Sequence, residues 1–219
     1  MAVRIVAVAD LHGRLPPIPP CDLLLIAGDV CPLGDHSRRE QLEFLEGPFA
    51  EWLVMTEADE AVGVAGNHDL LAEEDPAFVA GLPWTYLCDG EATVCGLRIW
   101  GTPRTPTFGD WAFMEPDLQL ARYFDEIPEG LDVLLSHGPP LGILDLAGRG
   151  ELAGSETLRQ ALLRARPQAC VFGHIHEGHG EGILAGIRCI NAAIVDRDYL
   201  PAHRPFAFQL DPHGTRLTS

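Results

Sequence analysis

Five short apolar runs in this chain each stop abruptly at a carboxylate, an imidazole or an amide. Residues 3–9 run into Asp10-Leu11-His12-Gly13, and residues 22–27 end in Gly28-Asp29. Residues 61–65 lead to Gly66-Asn67-His68-Asp69, and residues 131–135 to Ser136-His137-Gly138-Pro139-Pro140. Residues 169–172 are followed by Gly173-His174-Ile175-His176. Apolar runs this short, bounded by turn residues, read as buried strands. Any one of these tips is weak evidence, because Gly-Asn and Gly-Asp pairs mark turns everywhere. Five together constrain the chain strongly, because an α/β sheet gathers ligands beyond the carboxyl ends of its strands.

The intervening sequence fits that class. A Pro-rich stretch at 15–20 cannot be helix interior. Ser37-Arg38-Arg39-Glu40 has the form of a capping box and opens one amphipathic helix carrying Leu42, Leu45, Phe49, Trp52 and Leu53. Residues 84–102 read as short strands with turns at Asp89-Gly90 and Cys95-Gly96, and residues 101–116 as a loop rich in Gly, Pro and aromatics. Helices are expected over 117–125 and from a Ser155 cap to about Arg166, with closing strands through Asn191 and 206–210. Neither an internal repeat nor a long linker divides the 219 residues, so residues 1–219 are expected to form a single domain.

Composition excludes several classes. No apolar run approaches the ~20 residues of a membrane helix. The first ten residues lack a signal peptide's charged start and small-residue cleavage site, so a cytoplasmic protein is expected. Six cysteines without Cys-x-x-Cys spacing read as buried free thiols. The net charge is −17, and all 15 basic residues are arginine. Such a surface repels nucleic acid polymers and anionic membranes but admits a small phosphate ester where the site supplies positive charge. Oligomeric state is not legible.

The strand-end groups are nitrogen and oxygen donors without a thiolate, which suits Mn, Fe, Zn or Co and disfavours a Cys-rich zinc site. Two divalent ions bridged by water need about seven protein ligands. Leaving His68 aside, the chain offers seven: Asp10, His12, Asp29, Asn67, His137, His174 and His176.

The ordered set Asp10-x-His12, Gly28-Asp29, Gly66-Asn67-His68-Asp69, His137 and Gly173-His174-x-His176 resembles the calcineurin-like metallophosphoesterase superfamily. The flanks Gly101-Thr102-Pro103-Arg104-Thr105-Pro106, Ile127-Pro128-Glu129-Gly130, Ser136 to Gly142 and His176-Glu177-Gly178 are similar to the metallophosphoesterase-domain-containing branch, itself similar to class III cyclic nucleotide phosphodiesterases. The resemblance implies a four-layer αββα sandwich of two mixed sheets flanked by helices. It implies one metal on Asp10, His12, Asp29 and His176. The second would lie on Asn67, His137, His174 and a bridging Asp29, and His68 would be the catalytic histidine outside the metal shell. Protein Ser/Thr phosphatases match less well, since Pro32 stands where they carry a second Asp.

The resemblance therefore implies a dinuclear metal-dependent phosphoesterase, and in particular a phosphodiesterase on small diesters such as cyclic nucleotides, working by attack of metal-bound hydroxide. The alternatives are an idle scaffold of the same fold that binds a protein partner, and a phosphomonoesterase; a nuclease fits the metals but not the charge. Arg104, Phe108 and Trp111 are the candidate substrate contacts, Arg104 for a phosphate oxygen and the aromatics for a base. A packed surface loop is the competing reading and has a slight edge. Asp69 either holds His68 or caps the following turn. Asn191 is a turn residue or lines the site. His36 and His213 are expected to be exposed, and His179 and His203 solvated or structural.

Overall fold

The computed structural model describes residues 1–148 and 150–212; His213 lies outside them. In chain order the first elements are β1 (Val3–Val8), β2 (Cys21–Ala27), α1 (Arg38–Phe44), α2 (Ala50–Met55) and β3 (Ala58–Val64). Then come α3 (Leu70–Glu74), α4 (Pro76–Ala80), β4 (Thr85–Tyr86), β5 (Gly90–Val94) and β6 (Leu97–Thr102). A small pair, β7 (Thr105–Pro106) and β8 (Met114–Glu115), precedes α5 (Asp117–Phe124) and β9 (Val133–Ser136). The chain finishes with α6 (Glu156–Ala165), β10 (Ala169–Phe172), β11 (Gly180–Leu184), β12 (Ile187–Asn191) and β13 (Phe206–Leu210).

Two mixed sheets result, ordered β13-β1-β2-β3-β4 and β11-β12-β10-β9-β6-β5. The reason lies in the apolar runs. A strand covered on both faces must be apolar at every position and sends alternate side chains to opposite layers. Val6, Val8, Leu24 and Ile26 face outward and join Phe44, Leu45, Phe49, Leu71 and Val79 of the first helical layer. Ile5, Ala7, Leu23 and Leu25 face inward and meet Ile99, Val133, Leu135, Val171 and Ile190 of the second sheet. On that sheet's far side Leu134, Cys170 and Phe172 pack under Leu120, Phe124, Leu158 and Leu162 of α5 and α6. The order is helix, sheet, sheet, helix, the four-layer αββα sandwich expected from the sequence. Among the described residues no helix is long and apolar enough to cross a membrane.

Local expectations need three corrections. The helix opened by Ser37 is not continuous: a π turn over Leu45–Phe49 containing Pro48 separates α1 from α2. Proline has no N–H to donate back along the ladder, so the backbone widens there. The capping box is half formed. Ser37 Oγ accepts from Glu40 N at 3.2 Å, but the Glu40 carboxylate accepts from Asp35 N and Ser37 N donates to Asp35. Of the six cysteines, Cys21, Cys31, Cys170 and Cys189 are buried thiols, whereas Cys88 is exposed. The second expected cap holds: Ser155 Oγ accepts from Leu158 N at 2.9 Å.

Candidate metal centre

β1, β2 and β3 run parallel, as do β6, β9, β10 and β12. Their carboxyl ends deliver all seven candidate ligands to the seam between the sheets. Several of these residues sit in backbone conformations that L residues avoid. Asp10, His12, Asp29 and His174 have φ of 55°, 42°, 54° and 66°. Left-handed backbone costs on the order of 1 kcal/mol per residue and persists only where the surroundings over-determine it. Here each left-handed step swings a polar side chain off its strand tip into the seam.

Close approach explains two glycines. A Cβ on Gly28, itself at φ +91°, would lie 2.5 Å from His137 Nδ1. A Cβ on Gly173 would lie 2.3 Å from Asp10 Oδ2. Both glycines let a functional side chain from the opposite sheet come against the backbone.

The donors converge. Ligand atoms of Asp10, His12 and His176 lie within 4.8 Å of one another, as do those of Asp10, Asp29 and His137. Asp29 Oδ2 is 3.7 Å from His12 Nε2 and 3.5 Å from His137 Nε2. His176 Nε2 is 3.5 Å from Asp10 Oδ1. Neighbouring groups orient the rings: His137 Nδ1 bonds Ala27 O at 2.9 Å, and His176 Nδ1 bonds Asp196 O at 3.0 Å. With Nδ1 fixed in each, Nε2 faces the cluster. His137 Nε2 is 2.9 Å from Asn67 Oδ1. The His174 ring lies 5.0 Å from that of His137.

Electrostatics leave two of the imidazoles neutral and keep Asp29 ionised. Burial, against which Asp29 pulls only partly, brings His12 down to about 4. Burial and the nearby His137 bring His174 to about 3. Both imidazoles are therefore neutral at pH 7 with lone pairs available. Burial disfavours charge on His137 too, but Asp29, Asp10 and the Ala27 carbonyl together outweigh it and lift that imidazole to about 9, so in the metal-free protein it holds a proton that a bound ion would displace. Burial opposes ionisation of Asp29, yet His137 and His12 hold it well below the usual carboxylate range.

A divalent ion fits these residues on an observation independent of any relative. Both ring nitrogens of His12 are buried without a hydrogen-bond partner, as is Asn67 Nδ2. An orphaned imidazole in a cluster with two carboxylates is a costly arrangement for a protein alone and a natural one for a ligand set.

His68 stands beside this cluster. Its backbone N–H donates to Asp29 Oδ1 at 2.8 Å, and its carbonyl accepts from Gln41 Nε2 at 2.7 Å. Its ring meets that of His12 edge-on at 5.1 Å. Asp69 plays neither of its expected parts. Its carboxylate accepts from Val30 N, Cys31 N and Gly66 N at 3.2, 2.9 and 2.8 Å, tying the β2 and β3 loops together. It makes no side-chain cap to α3. Burial and the Asp29 charge push it up to about 6.

The expected substrate contacts separate. Arg104 is 14 % exposed, bonds Asp89 at 2.7 Å and lies 3.3 Å over the Tyr123 ring. It is a packed loop residue, engaged by Asp89 and Tyr123. Trp111 covers His68 at 4.4 Å. Phe108 alone reaches the opening, 64 % exposed and 5.4 Å from the His174 ring. The cleft there has a volume of about 160 Å³ and is bordered also by Glu177, Arg197 and Tyr199. Sequence reasoning missed these three. The Tyr199 ring stands edge-on to His12 and His176 at 4.9 and 5.0 Å. His36, expected in solvent, is half-buried against His68. Asn191 is buried behind the site, its amide donating to Ile175 O at 2.8 Å. His179 and His203 stack at 3.9 Å, with His179 Nδ1 buried.

A model of the calcineurin-like phosphoesterases matches residues 3–178. The chain is similar to metallophosphoesterase domain-containing protein 1 of Homo sapiens, at 34 % identity over 94 % of this chain and 71 % of the human one. It is 29 % identical to a cAMP/cGMP dual specificity phosphodiesterase of Mycobacterium tuberculosis over 71 % of this chain and 48 % of the other. Among solved structures, the phosphopantetheinyl hydrolase of Mycobacterium tuberculosis superposes with a TM-score of 0.58 at 15 % identity, covering 95 % of each chain. That last likeness concerns the fold.

Proposed function

The chain belongs to the calcineurin-like phosphoesterases, and from that premise we propose that it hydrolyses small phosphodiesters with a pair of divalent ions. The observation that carries this is the convergence of buried, orphaned and charged donors from both sheets on one seam. Asp10, His12, Asp29 and His176 would hold one ion, and Asp29, Asn67, His137 and His174 the other. When bound, such ions supply a nucleophile at neutral pH and neutralise charge on the phosphoryl oxygens.

The chain's own groups do the rest. His68 borders the cleft and contributes no atom to either donor group, so it is free to protonate the leaving oxygen. Arg197 supplies a cation at the cleft edge for a phosphate oxygen, and Tyr199 walls off His12 and His176 from bulk water. Phe108 offers an apolar face to whatever the phosphorus carries. The cleft of about 160 Å³ is smaller than the ~300 Å³ at which pockets begin to enclose a drug-sized ligand. It takes the phosphoryl centre and leaves the alcohol portions outside, beyond Phe108.

Two expectations follow for specificity. A diester carries one negative charge and a monoester about −1.5 to −2 near pH 7. Around the site the protein is at −17, which disfavours the more charged ligand. The 2′,3′- or 3′,5′-cyclic nucleotides should therefore show a higher kcat/KM than the corresponding nucleoside monophosphate. A clear preference for the monophosphate overturns the diesterase reading and leaves a phosphomonoesterase on the same residues. Because the base lies outside, purine and pyrimidine cyclic nucleotides should differ by less than about tenfold.

Arg197→Ala should raise KM by roughly fivefold to tenfold with a smaller change in kcat, since an exposed charge contributes on the order of 1 kcal/mol. An unchanged KM for every diester removes Arg197 from the substrate site.

A further inference from the structure

A general acid of this kind needs its ring held, and the family's own tetrapeptide places a carboxylate, Asp69, next to His68. That carboxylate is committed elsewhere, to the three backbone N–H groups of Val30, Cys31 and Gly66. A different side chain meets His68. The Nε2 of His36 lies 3.1 Å from His68 Nδ1.

The arrangement is built rather than incidental. His36 has a left-handed backbone at φ 53°. The turn that carries it is fixed on both sides: Asp35 N donates to Glu40 Oε2 and Ser37 N to Asp35 Oδ1, both at 2.8 Å, just before α1. One turn into α1, buried Gln41 takes hold of the same histidine's backbone, donating to His68 O at 2.7 Å while its Oε1 accepts from Leu71 N at 2.8 Å. The start of α1 therefore grips His68 at two points, carbonyl and ring. Trp111 closes over the pair, 4.4 Å from the His68 ring and 5.1 Å from that of His36. With Nδ1 engaged, Nε2 is the nitrogen of His68 left for the cleft.

We infer that His36 is the positioning residue of His68, fixing its ring through the Nε2–Nδ1 hydrogen bond under the Trp111 lid. The catalytic consequence rests on the acid role proposed for His68; the hydrogen bond does not. A lost outer partner of a functional imidazole costs on the order of 10–100-fold. His36→Leu removes the polar atom and keeps the bulk, whereas His36→Gln returns an amide near the Nε2 position.

Both variants should keep the wild-type metal content. His36→Leu should lower kcat on a 3′,5′-cyclic nucleotide by about 10–100-fold with KM little changed, and lower it less on bis(nitrophenyl) phosphate, whose leaving group needs little protonation. His36→Gln should restore kcat to within about threefold of wild type. Equal losses on both esters, or no rescue by glutamine, overturn the positioning role. An independent readout uses the metal-free wild-type protein labelled with ¹⁵N on histidine. A nitrogen–nitrogen coupling across the hydrogen bond should connect His36 Nε2 with His68 Nδ1, and its absence overturns the pairing even where a variant fails to fold. If the coupling is present and no phosphodiester is turned over by wild type, the proposed function fails while the pairing stands.

Discussion

Asp29→Asn is expected to strip the protein of both ions and of nearly all turnover while leaving the fold intact. Asp29 is buried, and its Oδ2 lies between His12 and His137, imidazoles from opposite sheets. Asparagine keeps the shape, and its Oδ1 still accepts from His68 N, so the β3 loop keeps its anchor. What disappears is one negative charge at the centre of the set. Mutation of an outer-shell partner typically costs 10–100-fold in metal affinity; a carboxylate shared by two ions should cost more than the upper end of that range. Elemental analysis after reconstitution with manganese or zinc, followed by desalting, should give close to two ions per wild-type chain and only trace metal in the variant. A single ion in wild type removes the dinuclear reading. Full occupancy in Asp29→Asn removes Asp29 as the shared ligand and turns attention to Asp10. That carboxylate belongs to both close donor groups but spends its oxygens on His174 N at 3.0 Å.

The reasons some of this was legible in the sequence, and some not, are physical. A buried strand must be apolar along its whole length, so the polar residue that ends it stands out; Asp10, Asp29, Asn67, His137 and His174 were readable for that reason. The sandwich itself follows from runs such as 22–27, too apolar to leave either face in water. Interactions across long sequence separation carry no such mark. The partners of Asp69 at Val30 and Cys31 lie 39 and 38 residues away. His36 sits among Asp35, Ser37 and two arginines, a polar surrounding that reads as solvent until α1 is docked on the β3 loop. For Arg104 the sequence leans to a packed loop without showing what packs it, because Asp89 and Tyr123 are brought to it only by the β5–β6 hairpin and α5. Arg197 and Tyr199 lie well beyond His176, the last expected ligand. The bridge between Ala9 and Ala193 helps return that segment to the β1 tip.

His68→Ala should separate chemistry from metal binding. The imidazole borders the cleft and is packed by His12, His36 and Trp111, yet neither close donor group includes it. Its structural duties run through the backbone, N–H to Asp29 and carbonyl to Gln41, and alanine retains both. The variant should therefore fold and keep wild-type metal content. As the proposed acid, the ring would act on charge that develops on the leaving oxygen, an interaction stronger in the transition state than in the bound substrate. Its removal should fall on kcat, by about 10²–10⁴-fold for a cyclic nucleotide, with KM nearly constant. For bis(nitrophenyl) phosphate the departing nitrophenolate is stable without a proton, so the loss should be much smaller. Burial holds the His68 imidazole below its ordinary value in the metal-free protein, so the protonated form that an acid step uses grows as pH falls. The comparison between the two esters is the decisive one. If both fall by the same factor, His68 does not transfer a proton, and what remains is a ring that fills the space between Trp111 and the cluster and orders the substrate there.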